Sequence, residues 1–98
     1  MPSTRPTPTV EDTDRPVLAR HVRRSFDRAR NTDVLLSPET ASVLNATGAA
    51  ILDLCDGERT VAEILTGLRQ RYRQVPEDDV RRFLGRLAAR RFLEVRRG

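Results

Sequence analysis

Residues 45–64 decide the fold, and they read NATGAAILDLCDGERTVAEI. Asn45 suits the N-cap of a helix whose apolar residues follow at once. Asp56-Gly57 ends that helix, because glycine takes a left-handed terminus without strain. Thr60 and Glu63 have the spacing of a capping box, in which each side chain bonds the backbone amide of the other. The stretch therefore predicts a helix, a tight turn and the start of a second helix.

Two amphipathic helices continue from this turn. The second has apolar residues at helical spacing, namely Val61, Ile64, Leu65, Leu68 and Tyr72. The third is predicted to begin at Pro76, which suits a first turn, and the acidic run 77–79 complements the positive end of its dipole. Its apolar stripe consists of Val80, Phe83, Leu84, Leu87 and Ala88. Residues 92–95 are predicted to close the fold as a short extended segment.

The chain before Asn45 is predicted to be extended. Three short segments, 16–20, 22–28 and 33–37, have the length and alternation of strands. Asn31 can take the left-handed conformation that a hairpin turn between the last two requires. We expect a three-stranded antiparallel sheet followed by three helices, which is a small α+β domain of winged helix-turn-helix type. In such a meander the third strand, 33–37, is expected to lie at an edge.

Residues 1–15 are expected to form a disordered tail, and residues 16–98 the folded domain. Prolines and threonines alternate with charges in the first segment, where Val10 is the only sizeable apolar residue after Met1. Such a segment buries too little surface to offset its ordering entropy. The sequence has no apolar run of the roughly 18 residues that a membrane helix needs, and no apolar stretch of a signal peptide. We therefore expect a cytoplasmic protein with no membrane contact.

The 98 residues contain one cysteine and one histidine, which removes most catalytic and metal-binding schemes. Cys55 lies in an apolar helix and is interpreted as a buried structural thiol. His21 lies between two predicted strands and is interpreted as a surface or turn residue. The sequence has neither a glycine-rich phosphate loop nor metal-ligand spacing. We expect no enzymatic activity, no catalytic residue, no metal and no cofactor.

All 18 basic residues are arginines, and residues 61–98 carry ten of them against five acidic residues. Arg82, Arg86 and Arg90 are four apart, so they form a row on the third helix opposite its apolar face. The row suits a solvated face, a surface for an acidic protein or peptide, or a phosphate contact of a DNA-binding winged helix. Nucleic acid is the least favoured partner, because the outward residues lack the Asn, Gln, Ser and Thr that read base edges.

An edge strand offers unpaired amide and carbonyl groups, to which an extended segment of another chain can add. If the third helix lies beside strand 33–37, the two form a groove. Its floor is apolar, with Val80, Phe83, Leu84 and Leu87, and its rim is basic, with Arg81, Arg82 and Arg86. We predict that this groove binds a peptide with acidic and apolar residues. Self-pairing at the same edge would turn a monomer into a weak or strand-exchanged homodimer.

The chain resembles the PqqD family, the peptide chaperones of pyrroloquinoline quinone (PQQ) biosynthesis. The resemblance rests on two stretches that follow each other closely: Leu44-Asn45-x-Thr47-Gly48-Ala49-Ala50-Ile51-Leu52 and Cys55-Asp56-Gly57-Glu58-Arg59-Thr60-Val61-Ala62-Glu63-Ile64. Shorter matches precede them at Arg15-Pro16-x-Leu18-Ala19-Arg20, Phe26-Asp27 and Val34-Leu35-Leu36-x-Pro38-Glu39.

This resemblance implies a winged-helix domain without catalytic activity. Its members bind a ribosomally made precursor peptide and present it to a radical S-adenosylmethionine (SAM) enzyme, which joins a Glu and a Tyr of the peptide. The peptide adds as an extra strand to the third strand, beside the third helix. Carried over to this chain, the peptide-binding residues are Val34, Leu35, Leu36, Val80, Arg81, Phe83, Leu84 and Leu87. The alternatives are the recognition domain of another modified-peptide pathway and a DNA-binding winged helix.

Overall fold

The computed structural model describes residues 10–97. Its elements are, in chain order, β1 (Arg15–Leu18), β2 (Arg23–Asp27), β3 (Thr32–Leu36), β4 (Ala41–Leu44), α1 (Ala46–Asp53), α2 (Val61–Arg71), α3 (Glu77–Ala89) and β5 (Leu93–Arg96). The predicted α+β class is confirmed, since a three-stranded antiparallel sheet precedes three helices. A second, two-stranded sheet joins the two ends of the described chain.

The three-stranded sheet contains other strands than predicted. Its order is β2-β3-β4, whereas β1 pairs with β5 in the separate sheet. The chain turns back after β1, where the Val22 amide donates to the Ala19 carbonyl, and the Ala19 amide donates to the Phe92 carbonyl. These bonds keep β1 beside the C-terminal strand, so the expected pairing of segment 16–20 with segment 22–28 is wrong.

The strand predicted at 33–37 is the central strand of its sheet. β3 pairs on both sides, with Val34 opposite Ser25 of β2 and Val43 of β4. The expectation of an edge strand is therefore wrong, because both of its ladders are already occupied and Leu35 is completely buried. Among the described residues, the free edges of this sheet belong to β2 and β4.

The local signals for the starts of α1 and α2 are confirmed. The Asn45 side chain accepts a hydrogen bond from the Gly48 amide at 2.7 Å, which makes it the N-cap of α1. Thr60 and Glu63 form both bonds of the capping box at the start of α2. α1 ends at Asp53 with Leu54 as its C-cap, which is earlier than the predicted end at Asp56-Gly57. Gly57 adopts a φ of 79° in the turn between these helices, and Asn31 adopts a φ of 55° in the β2–β3 turn. The last helix, α3, begins at Glu77, so Pro76 occupies its N-cap position and not its first turn.

Residues 10–14 pack onto the helices, so the folded domain begins before the predicted boundary at residue 16. Val10 and Asp14 are buried. The backbone carbonyls of Asp12 and Asp14 accept hydrogen bonds from the Ala62 and Val61 amides, which are the first two amides of α2. The rest of the predicted tail, residues 1–9, lies outside the described residues.

The hydrophobic core lies between the helices and the inner face of the three-stranded sheet. Its completely buried members are Leu35, Val61, Ile64 and Leu84. The short helix α1 packs on β3, β4 and α2, whereas α3 packs on α2 and β5. Because α3 and β4 are held by different neighbours, a groove separates them. None of the helices in residues 10–97 combines the length and apolarity needed to cross a membrane.

Candidate functional site

The outer edge of β4 has free backbone groups. The Ser37 amide donates to the Thr40 carbonyl across the β3–β4 turn at 2.8 Å, and the register then places Ser42 opposite Leu35. Bonded and non-bonded pairs alternate along an antiparallel ladder. Ser42 therefore bonds to β3, while the peptide groups of Ala41 and Val43 point away from the sheet. These outward groups can bond to an added strand.

A groove of about 260 Å³ runs beside this edge, between β4 and α3. The strand side consists of Ser42, Val43, Leu44 and Asn45, and the helix side of Phe83, Arg86, Leu87 and Arg90. The helix residues recur three and four apart, so they share one face of α3. The groove thus combines a free strand edge with an apolar wall and two guanidinium groups.

The two arginines of the groove differ from those at the start of α3. Arg81 binds the Asp12 carboxylate through Nε and Nη2, at 3.1 and 2.8 Å, which ties α3 to the N-terminal segment. Arg86 and Arg90 have no such carboxylate partner within residues 10–97, and Arg90 lies over the Phe92 ring at 5.0 Å from its centroid. The positive charge left uncompensated on α3 therefore faces the groove.

The structure places the predicted helix residues in four different surroundings. Phe83 and Leu87 line the groove. Val80 lines an adjoining pocket, and Leu84 is completely buried in the core. Arg81 was predicted at the rim of the groove, but it lies with Asp12 on another side of α3. Of the predicted helix residues, Phe83 and Leu87 therefore lie at the groove, whereas Arg81 does not.

The predicted strand residues do not lie at the groove. Leu35 faces the core, while Val34 and Leu36 lie on the opposite face of the central strand. The strand wall consists of residues 42–45, of which 42–44 belong to β4. The sequence pattern does not predict this strand, because Pro38 directly follows the predicted strand 33–37 and indicates its end. The turn at 37–40 joins two strands, so the third strand of this sheet is β4 and not β3.

The remaining reactive groups have structural roles. Cys55 is buried, and its sulfur donates to the Ile51 carbonyl. Burial, with a smaller contribution from the Asp56 charge, raises the pKa of this thiol to about 12, so it is not a nucleophile at neutral pH. In the part of the chain that the structure describes, no three His, Cys, Asp or Glu side chains are grouped as metal ligands.

Comparison with known proteins identifies the family. The family model described as coenzyme PQQ synthesis protein D (PqqD) matches residues 34–93. A PqqA binding protein of Pseudomonas paraeruginosa is 40% identical over 82 residues, which cover 82% of this chain and 89% of that protein. The chain belongs to the PqqD family. The match includes β4 and α3, so it spans both walls of the groove.

Two further comparisons agree with this assignment. A PqqA binding protein of Rhodopseudomonas palustris is 45% identical over 64 residues, covering 65% of this chain and 63% of that relative, just under two thirds of its length. The solution structure of the PqqD part of Methylobacterium extorquens PqqCD has a TM-score of 0.68 and 43% identity. The similarity covers 81% of this chain and 87% of that one, which is described as a stand-alone recognition element for ribosomally made, modified peptides.

Proposed function

We propose that this PqqD-family chain is a cytoplasmic peptide chaperone that binds the ribosomal precursor peptide, PqqA, as an added strand on β4. The observation that carries the proposal is the free edge of β4 beside the groove of α3. The added strand would run antiparallel, because the sheet it extends is antiparallel and such pairs are slightly more stable per residue. It would exchange hydrogen bonds with Ala41 and Val43.

Alternation along an added strand determines what the peptide side chains meet. Every second side chain would face the groove and contact Phe83 and Leu87. The side chains between them would lie on the outer face beside Val43, which is 54% exposed. Apolar residues two apart in the peptide suit the groove, and carboxylates next to them suit Arg86 and Arg90.

The DNA-binding alternative is weaker on this geometry. A recognition helix enters the major groove with its N-terminal residues. The first turn of α3 is Glu77, Asp78 and Asp79, and these residues together with Asp12 neutralise Arg81 and Arg82. In a DNA complex, the phosphates would therefore lie next to carboxylates at the end of α3 that enters the major groove.

The handover step follows from the same proposal. The chaperone would present the bound peptide to a radical SAM enzyme, which joins a Glu and a Tyr of the peptide. Strand addition holds a peptide extended along one edge, and the peptide residues outside the groove would remain accessible to the enzyme. A different modified-peptide pathway would use the same edge and groove with another peptide, so a panel of precursor peptides distinguishes the two.

Val43→Pro tests the strand addition. Proline removes the amide that points outward from β4 while the ladder to β3 stays complete, a position at which edge strands tolerate proline. Phe26→Pro is the matched control, since ladder alternation points the Phe26 amide outward from β2, the other edge. Leu35→Pro is unsuitable, because it breaks the central strand.

Calorimetric titration with the PqqA peptide should show at least about a tenfold loss of affinity for Val43→Pro, or about 1.4 kcal/mol. Phe26→Pro should bind as the unmodified protein does. Amide shifts on titration should concentrate in residues 41–44 and 82–90. Equal binding by both variants, or shifts confined to β2, would rule out addition to β4.

A further inference from the structure

A second pocket adjoins the groove on the other side of Phe83. It lies between the start of α1, the end of α2, the loop 72–76 and α3, and it has a volume of about 470 Å³. This size is within the roughly 300–1,000 Å³ of small-molecule sites. Its floor is apolar and consists of Ile51, Leu68, Val75, Val80 and the Phe83 ring.

The pocket and the groove are continuous. Asn45, Phe83 and Arg86 line both of them. The Phe83 ring separates the two compartments and lies so close to α1 that a Cβ atom at Gly48 would be 3.1 Å from Cζ of the ring. A chain that leaves the end of the groove at Asn45 therefore enters the pocket.

Strand direction decides which part of a peptide arrives there. β4 runs from Ala41 to Leu44 and leads directly into Asn45. In an antiparallel partner, the residues opposite Ala41 come last and those opposite Leu44 come first. The peptide residues just before the added strand would therefore pass Asn45 and the mouth of the pocket.

We infer that this pocket binds an apolar side chain from the peptide segment immediately N-terminal to the added strand. The inference rests on the proposed strand addition to β4. The apolar floor selects an aliphatic or aromatic side chain. The charge next to it selects a neighbouring carboxylate, because Arg82 is already paired with Asp79 while Arg86 has no carboxylate partner among the described residues.

Thr47→Trp is the variant that closes the pocket. Thr47 is exposed, lies in the first turn of α1 and lines the pocket but not the groove beside β4. An indole there would occupy the space intended for the peptide side chain. The matched control is Thr66→Trp, at an exposed position of α2 that lines neither compartment.

The test uses two peptides and both variants. One peptide is the full precursor, and the other begins at the first residue whose amide is protected from exchange in the complex. The unmodified protein should bind the full peptide about tenfold more tightly than the shortened one. Thr47→Trp should bind both with the affinity that the unmodified protein has for the shortened peptide, and Thr66→Trp should behave like the unmodified protein.

Each other outcome contradicts the inference. Thr47→Trp that still prefers the full peptide would show that the pocket is not used. Thr47→Trp that weakens the shortened peptide to the same degree would show that it acts on the groove. In both cases weaker binding by Val43→Pro would still support strand addition to β4, whereas unchanged binding by that variant would refute the proposed function itself.

Discussion

At the scale of single residues, Gly48 explains part of the sequence motif at the start of α1. A Cβ atom at this position would lie 3.1 Å from Phe83 Cζ and 3.2 Å from the Asn45 Oδ1 atom. The first atom belongs to the ring that separates the groove from the pocket, and the second is the oxygen that caps α1. The absence of a side chain at Gly48 therefore lets one residue support both the cap and the binding surface.

Gly48→Ala should separate stability from binding. Alanine favours a helix by about 1 kcal/mol over glycine, and this gain offsets the cost of displacing the ring. We expect a free energy of unfolding within about 1 kcal/mol of the unmodified protein, and a peptide affinity about fivefold lower, because the Phe83 ring moves. Urea unfolding and calorimetric titration measure the two quantities.

Gly67→Ala is the control for this prediction. Its Cβ atom would meet the Leu54 side chain at 3.2 Å, and Gly67 lines neither groove nor pocket. It should change stability by a similar amount with no change in peptide affinity. Unchanged affinity in Gly48→Ala would mean that the position of Phe83 does not matter for binding.

At the scale of secondary-structure elements, the helices could be predicted from the sequence and the strand pairing could not. The side chains of Asn45, Thr60 and Glu63 each bond a backbone amide three residues away. Their spacing alone therefore specifies where α1 and α2 begin. β1 instead pairs with β5, almost 80 residues away along the chain, and no local pattern encodes that choice.

The candidate groove was partly predictable for the same reason. The apolar face of α3 is a local periodicity, and it supplied Phe83 and Leu87, which line the groove. Which strand lies opposite that face depends on which edge remains free after the sheet has formed. β4 is only four residues long and follows a proline, so its own sequence gives a weak strand signal. The edge assignment therefore required the complete topology.

The capping box of α2 predicts a pH dependence of stability. The Thr60 amide and the Thr60 hydroxyl both donate hydrogen bonds to the Glu63 carboxylate. These bonds, the amide bond more than the hydroxyl bond, lower the pKa of Glu63 in the folded state. A lowered pKa in the folded state stabilises the protein above the ordinary pKa of glutamate, and the contribution is lost as the pH falls through the folded value. Glu63→Gln should therefore be less stable than the unmodified protein at pH 7, and the difference should shrink towards pH 3.

Urea unfolding at both pH values measures this difference. Glu39→Gln is the control, because Glu39 is exposed in the β3–β4 turn and caps no helix. It should show no pH-dependent difference of this kind. A Glu63→Gln deficit that stays constant from pH 7 to pH 3 would mean that the carboxylate charge is not what stabilises the cap.

At the scale of the whole molecule, the structure divides the arginines into those paired with carboxylates and those beside the groove. Asp12 and Asp14 belong to the segment before β1, and they bind Arg81 of α3 and Arg97 after β5. These ion pairs fasten the N-terminal segment across the domain and consume part of the positive charge. The net charge of +4 therefore does not show where positive charge is available, whereas Arg86 and Arg90 beside the groove have no carboxylate partner within residues 10–97.

Removal of those arginines should separate local charge from net charge. Arg86→Ala combined with Arg90→Ala removes two charges from the groove, and Arg28→Ala combined with Arg30→Ala removes two from the exposed β2–β3 turn. Both variants have the same net charge. The Debye length is about 10 Å at 0.1 M salt, so salt screens charges that lie farther than this from the peptide, while contacts within the groove persist.

We expect the groove variant to lose about tenfold in affinity for an acidic precursor peptide at low salt, because it removes the charges closest to the peptide. Its affinity should also depend less on salt than that of the unmodified protein. The turn variant should keep both the affinity and the salt dependence. Titrations at 0.05 and 0.5 M salt measure these differences. An equal loss in both variants would assign the attraction to net charge, and the arginines of α3 would then have no specific part in recognising the peptide.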